Sequence, residues 1–173
     1  FYGPKLDMQI KNIYGKEETL GTIKVDILVP ERMGLVYLDK NNEEKNPVII
    51  HRAILGSYER FIGFLLEATK GDLHFWLSPL QVLILPLGKS HQNYAEEILF
   101  KLKGQDFRSE IWPAEETLSK RILLAEKEKI PVILIIGDRE IKNKTCSMRL
   151  RHNQDLGEKK FEEIKKILNE NIP

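Results

Sequence analysis

The sequence predicts an α/β chain in two parts: an antiparallel sheet with one long helix, then an α/β unit on a mixed, mostly parallel sheet. Three observations carry this. Residues 6–13 and 21–28 alternate apolar and polar with a period of two. Two later stretches, QVLILPL (81–87) and PVILII (131–136), are continuous apolar runs, the pattern of strands covered on both faces. Between and beyond those runs lie helix-period segments, so strand and helix alternate.

Residues 6–13 (LDMQIKNI) read as a strand ending in a turn at Tyr14-Gly15-Lys16. A second strand over 21–28 puts Ile23, Val25 and Ile27 on one face and Thr22, Lys24 and Asp26 on the other. The two form an antiparallel hairpin with one wet face, stopped by Pro30. A short strand over 34–38 and a polar loop over 39–46 come next. The run HRAILGSYERFIGFLLE (51–67) reads as one helix ending near Lys70-Gly71, because Ile54, Leu55, Phe61, Ile62, Leu65 and Leu66 share a stripe. Gly56 inside it has no side chain, so something is expected to pack against the backbone there. Arg60, one turn on, puts a guanidinium beside that bare patch, a clamp for a planar or phosphorylated ligand. Residues 72–79 read as a linker. Beyond it the pattern gives strands at 81–87, 107–112, 131–136 and 144–150 and helices at 93–103, 115–129 and 158–170.

Composition narrows the function. Apolar residues are 42% of the chain, enough for a core, and charged residues are 31% with a net charge of +1. That balance excludes a strongly basic nucleic-acid binder. No stretch approaches the roughly 18 apolar residues of a membrane span. One cysteine, Cys146, excludes an internal disulfide and a multi-cysteine metal site, and cytoplasm is the default compartment. The opening Phe-Tyr-Gly-Pro-Lys is neither a signal peptide nor an initiator Met, and the chain is expected to be the C-terminal piece of something longer. A second polar feature lies late in the chain. Between Arg139 and Arg151 five basic residues face one acid, Glu140, a suitable phosphate-facing patch or, equally, a solvated edge strand.

Five segments in order, FYGPKLD (1–7), the 51–67 run, WLSPLQVLILPL (76–87), IPVILIIGDREI (130–141) and RLRHNQDLG (149–157), resemble the threonyl-tRNA synthetases. The 51–67 run resembles the third signature motif of the class II aminoacyl-tRNA synthetases. The resemblance implies that residues 1–75 are the C-terminal part of a class II catalytic domain, a partial antiparallel sheet with a long helix, and that 76–173 are an α/β anticodon-binding domain. It implies ATP-dependent ligation of threonine to tRNA(Thr) through a threonyl-adenylate, with Mg²⁺ and Zn²⁺ in the complete parent. Family members are homodimers, and the isolated chain is expected to be inactive.

The resemblance also assigns residues. Arg60 and Lys5 take catalytic roles; Tyr2, Lys5, Gly56, Ser57 and Arg60 bind ATP and substrate. His51 is a zinc ligand that needs a cysteine and a second histidine from upstream, so no stable zinc site is expected in this chain alone. Glu115, Glu140 and Arg149 contact the anticodon. Two departures stand out. Thr19, Leu20 and Lys24 occupy a strand where the family usually has glutamines flanking a cysteine, and Glu115 replaces an asparagine. Trp112 offers either a stacking surface or a core contact. The alternative reading is an RNA-binding or protein-assembly module without catalysis.

Overall fold

The computed structural model describes residues 3–152 and 154–170. The chain divides into two compact units, Phe1–Gly71 and Asp72–Pro173.

In the first unit, β1 (Lys5–Lys11), β2 (Glu17–Asp26) and β5 (Ile49–Ala53) form an antiparallel sheet in the order β1-β2-β5. The β1–β2 turn is held by Asn12, whose Oδ1 accepts from the backbone N–H of Tyr14 and Lys16, each at 3.0 Å. The expected two-faced hairpin is present. Lys5, Lys24 and His51 are register partners in one row across the three strands, and Asp7, Thr22 and Ala53 form the next. Pairing places each row on one side of the sheet, so Lys5, Asp7, Thr22, Lys24, Asp26 and His51 share the polar face.

Two expectations change here. Pro30 was expected only to stop the strand; it sits inside a short helix, α1 (Leu28–Arg32), where a first-turn proline loses no hydrogen bond. The strand expected over 34–38 shrinks to β3 (Tyr37–Leu38), paired with β4 (Glu44–Lys45).

The single helix expected over 51–67 is not formed. His51, Arg52 and Ala53 belong to β5 and pair with Lys24, Ile23 and Thr22. The chain then turns through Gly56 at φ +65° and enters α2 (Tyr58–Thr69) at Ser57, whose Oγ accepts from Arg60 N–H at 3.3 Å. Gly56 does lie against backbone: a Cβ there would stand 2.9 Å from the Leu20 carbonyl oxygen. α2 ends at Lys70, which is left-handed at φ 53°.

The second unit is a five-stranded mixed sheet, ordered β10-β9-β8-β6-β7. Its strands are β6 (Val82–Pro86), β7 (Ser109–Ile111), β8 (Val132–Ile136), β9 (Cys146–Leu150) and β10 (Gln154–Lys159). The pairs β6–β7 and β6–β8 are parallel; β8–β9 and β9–β10 are antiparallel. Every residue of β6 is buried, as its continuous apolar run requires.

Helices cover both faces. α3 (Gln92–Lys103) and α6 (Phe161–Glu170) bury Ala95, Ile98, Leu102, Ile164 and Leu168 against Val82, Ile84, Val132, Leu134 and Met148. α4 (Leu118–Lys127) lays Leu118, Ile122 and Ala125 on Leu83, Leu85 and Ile133 of the opposite face. α4 starts at Leu118, not at 115, because Thr117 caps it by accepting from Lys120 N–H. Two elements were not expected: α5 (Asp138–Asn143) and β10, whose register with β9 shifts by a bulge between Asp155 and Gly157. Residues 72–79, expected as a linker, pack with this unit, and Phe75 joins its core.

Candidate nucleotide face and candidate RNA-binding edge

The polar face of the first sheet is an electrostatic network. Lys5 Nζ lies 2.7 Å from Asp7 Oδ2, and Asp7 also accepts from Thr22 Oγ1. The Lys5 bond, then the Thr22 bond, hold the Asp7 carboxyl below its ordinary range. At the C-terminal end of the central strand β2 the side chain of Asp26 is buried. It accepts from Val29 N–H at 3.0 Å and lies 3.0 Å from His51 Nε2. The Val29 bond, helped by His51, holds Asp26 low against the opposing effect of burial.

Of the sequence-predicted residues, Lys5 and His51 come together, flanking Lys24 in one row. Arg60 is elsewhere: exposed on α2, its Nη1 donates to the Thr19 carbonyl at 3.4 Å. It lines a shallow cavity of about 290 Å³ with Asn12, Glu18, Gly63, Phe64 and Glu67. Gly56 and Ser57 adjoin Arg60, whose backbone N–H donates to Ser57 Oγ and whose Cδ lies 3.9 Å from where a Gly56 Cβ would stand, and both also line an open groove with Arg52 and Tyr58. Tyr2 lies outside the described residues.

The residues present do not by themselves fit a zinc ion. Among the described residues no three His, Cys, Asp or Glu side chains cluster to hold a metal. Cys146 is buried in the second unit's core, where burial pushes its thiol up to about 12.

In the second unit the anticodon candidates lie on two patches. Glu140 on α5 reaches back to its own helix start: Oε2 accepts from Gly137 N–H at 2.9 Å and Oε1 from Ser147 Oγ at 2.8 Å. Arg149 on β9 stands between Ile133 and Asp155. Its Nε is buried and has no hydrogen-bond partner, an unusual state for a guanidinium nitrogen. The other cations of the basic run are partly engaged: Arg139 pairs with Glu158, and Arg151 lies 2.5 Å from Asp72. Glu115 is exposed in the turn between β7 and α4, on a crevice of about 440 Å³ also lined by Gly88, Lys89, Gln92, Asn93, Pro113 and Ala114. That crevice opens beyond the C-terminal ends of parallel strands β6 and β7, where α/β sheets commonly take ligands. Trp112 packs, partly buried, against the α4-side core.

Three groups escaped the sequence reading. Asp26 was placed on a wet face, but its burial against α1 depends on a helix the sequence did not announce. His91 is buried; its Nδ1 accepts from Gly88 N–H at 3.0 Å, and its Nε2 lies 3.1 Å from Asp138 Oδ1. Arg121 is buried in α4. Its signal was available, since it falls one turn beyond Leu118 and one turn before Ala125, on the inward stripe.

The family model "tRNA synthetase class II core domain (G, H, P, S and T)" matches residues 1–69, and "Anticodon binding domain" matches residues 81–171. A threonine–tRNA ligase of Campylobacter hominis is 48% identical over 87% of this chain and 25% of its own length. A threonine–tRNA ligase catalytic subunit of Sulfurisphaera tokodaii is 45% identical over 99% of this chain and 32% of its own. Among solved structures, the RNA binding domain of threonyl-tRNA synthetase from Cryptosporidium parvum superposes with a TM-score of 0.86 at 31% identity, covering 100% of this chain and 44% of that one. The chain thus spans about a quarter to a third of the curated relatives it matches. With a class II synthetase core segment matching its first unit and the anticodon-binding model spanning more than half its length, the chain belongs to the anticodon-binding domain family, and its relatives are threonine–tRNA ligases.

Proposed function

We propose that this chain is part of a threonyl-tRNA synthetase, which joins threonine to ATP, releases pyrophosphate, and transfers the threonyl group to tRNA(Thr). Residues 1–75 would close the catalytic domain and 76–173 would grip the anticodon loop. In the complete enzyme Arg60 and Mg²⁺ would stabilise phosphate charge, with Gly56 and Ser57 beside it. Lys5 and Tyr2 would position substrate. His51 would contribute one ligand to a zinc ion completed by residues outside this chain. The working form would be a cytoplasmic homodimer.

The observation that best supports the RNA half is the anticodon-binding family match over residues 81–171, within which Arg149 stands two residues along β9 from Ser147, the partner of Glu140. Arg149 is half-buried, and the outer nitrogens of its guanidinium rather than the buried Nε would meet a base edge or phosphate. Glu140 would brace the neighbouring backbone while keeping lone pairs for a base, and Glu115 would accept from an amino-bearing edge. This chain should bind an RNA hairpin carrying the threonine anticodon with strong salt dependence. Arg149→Ala should weaken binding about tenfold or more, since a bidentate base contact is worth about 1–3 kcal/mol, and should leave the far-UV spectrum unchanged. Equal binding by the variant would remove Arg149 from the interface. For the catalytic half, threonine-dependent pyrophosphate exchange into ATP by the full parent is the test, and its absence would defeat the assignment.

A second reading, RNA binding without ligation, is favoured by Lys24. It sets an ammonium between Lys5 and His51 on the face that would have to receive the amino group of threonine. The same exchange assay separates the two.

A further inference from the structure

The crevice beyond β6 and β7 has two rims. One runs from Gly88 to Asn93, starting two residues after Pro86 ends β6. The other is Pro113–Glu115, starting directly after Trp112. Both rims spring from carbonyls held by one side chain. Arg121 donates from Nη2 to the Pro86 carbonyl at 2.9 Å, from Nη1 to the Trp112 carbonyl at 3.1 Å, and from Nε to the Glu116 carbonyl at 3.1 Å. It is only 3% exposed, and among the described residues it has no carboxylate partner.

We propose that Arg121 is the positioning residue of the RNA-binding crevice. Its planar fork fixes the spacing of the two rims, and its unneutralised charge favours phosphate at the mouth. The proposal rests on the reading that this unit binds RNA, and deepens it. The physical case is geometric. Three acceptors from two segments, the end of β6 and the β7–α4 connection, converge on one guanidinium, whose five N–H donors are rigidly arrayed. A flexible ammonium keeps the charge but cannot hold all three carbonyls in that plane. A buried cation whose partners are neutral carbonyls keeps a positive potential around the two segments that carry the crevice rims.

The test uses the whole chain and an RNA hairpin bearing the threonine anticodon, with binding followed by fluorescence anisotropy in the cold, well below unfolding, at two salt concentrations. Arg121→Lys should weaken binding about tenfold while keeping the wild-type salt slope, because the charge is retained. Lys89→Ala, on the rim, should cost less in the Arg121→Lys background than in the wild type, because a misplaced rim has less to lose. Wild-type affinity in Arg121→Lys, or strictly additive effects of the two changes, would overturn the proposal. Should Arg121→Lys lack the wild-type far-UV spectrum, ¹⁵N NMR of the wild-type Arg121 Nε–H during RNA titration replaces it. A shift on binding is expected, and an unmoved resonance would overturn the proposal. Absence of RNA binding by the wild type would instead defeat the anticodon reading itself, and this inference with it.

Discussion

Gly56 adopts a left-handed conformation with its Cα facing the Leu20 carbonyl. A methyl group would meet two penalties there, the backbone cost of about 1–2 kcal/mol for a non-glycine residue and a contact of 2.9 Å against backbone that cannot rotate away. Gly56→Ala should therefore destabilise the first unit by at least that backbone cost, read as faster amide exchange in β2 and β5. A second residue-scale expectation concerns Cys146. Burial, then the Glu140 carboxylate, pushes its thiol up to about 12, and Tyr94, partly buried beside it, is raised to about 12 as well. An acid whose folded pKa is raised favours folding while it stays protonated. Its contribution is thus complete below the unfolded thiol value of about 8.5 and is lost as pH climbs from there toward 12. Native protein should resist thiol alkylation at mildly basic pH and react only on unfolding; rapid labelling of folded protein would contradict the buried position.

At the scale of elements, the turn into α2 explains the largest departure from the sequence reading. HRAIL satisfies a helical spacing, but its partners are twenty-five and more residues upstream, on β2. Local periodicity is blind to that pairing. The clue was Gly56-Ser57, a left-handed residue followed by a cap, which marks a helix start rather than a thin spot within a helix. Ser57→Ala should cost about 1 kcal/mol, seen as loss of α2 helicity and exchange protection in its first turn with β6 and β8 untouched. The strands of the second unit were easier to read, because a run buried on both faces needs no partner to be recognised. α5 and β10 were not: α5 is a six-residue helix set by its Gly137–Glu140 cap, and β10 is polar throughout most of its length. The candidate site divides in the same way. Glu140 and Arg149 stand in a basic run visible in the sequence, and Lys5 and His51 were assigned through the family resemblance. Asp26, His91 and Arg121 matter through contacts that only the folded backbone creates.

Over the whole molecule, burial is uneven. Among the described residues, the largest fully buried apolar side chains belong to the second unit, while the first exposes Leu6 at 64%, Ile50 at 62% and several apolar residues of α2. With burial contributing roughly 25 cal/mol per Å², the second unit holds most of the hydrophobic stabilisation. A polypeptide of residues 72–173 is expected to unfold cooperatively by itself, and the full chain to bind a hydrophobic dye through its first unit. Dye binding that persists undiminished in 72–173 alone would contradict this.

The two borders of the five-stranded sheet bear on how copies behave when concentrated. One border, β7, is three residues long; the other, β10, is kinked by its bulge and carries Gln154, Asp155, Glu158 and Lys159. Neither presents a straight, greasy ladder onto which another polypeptide could zip. Self-association, if it is seen at high concentration, should proceed by sticking of side-chain surfaces and dissolve in mild detergent, without growth of cross-β fibres.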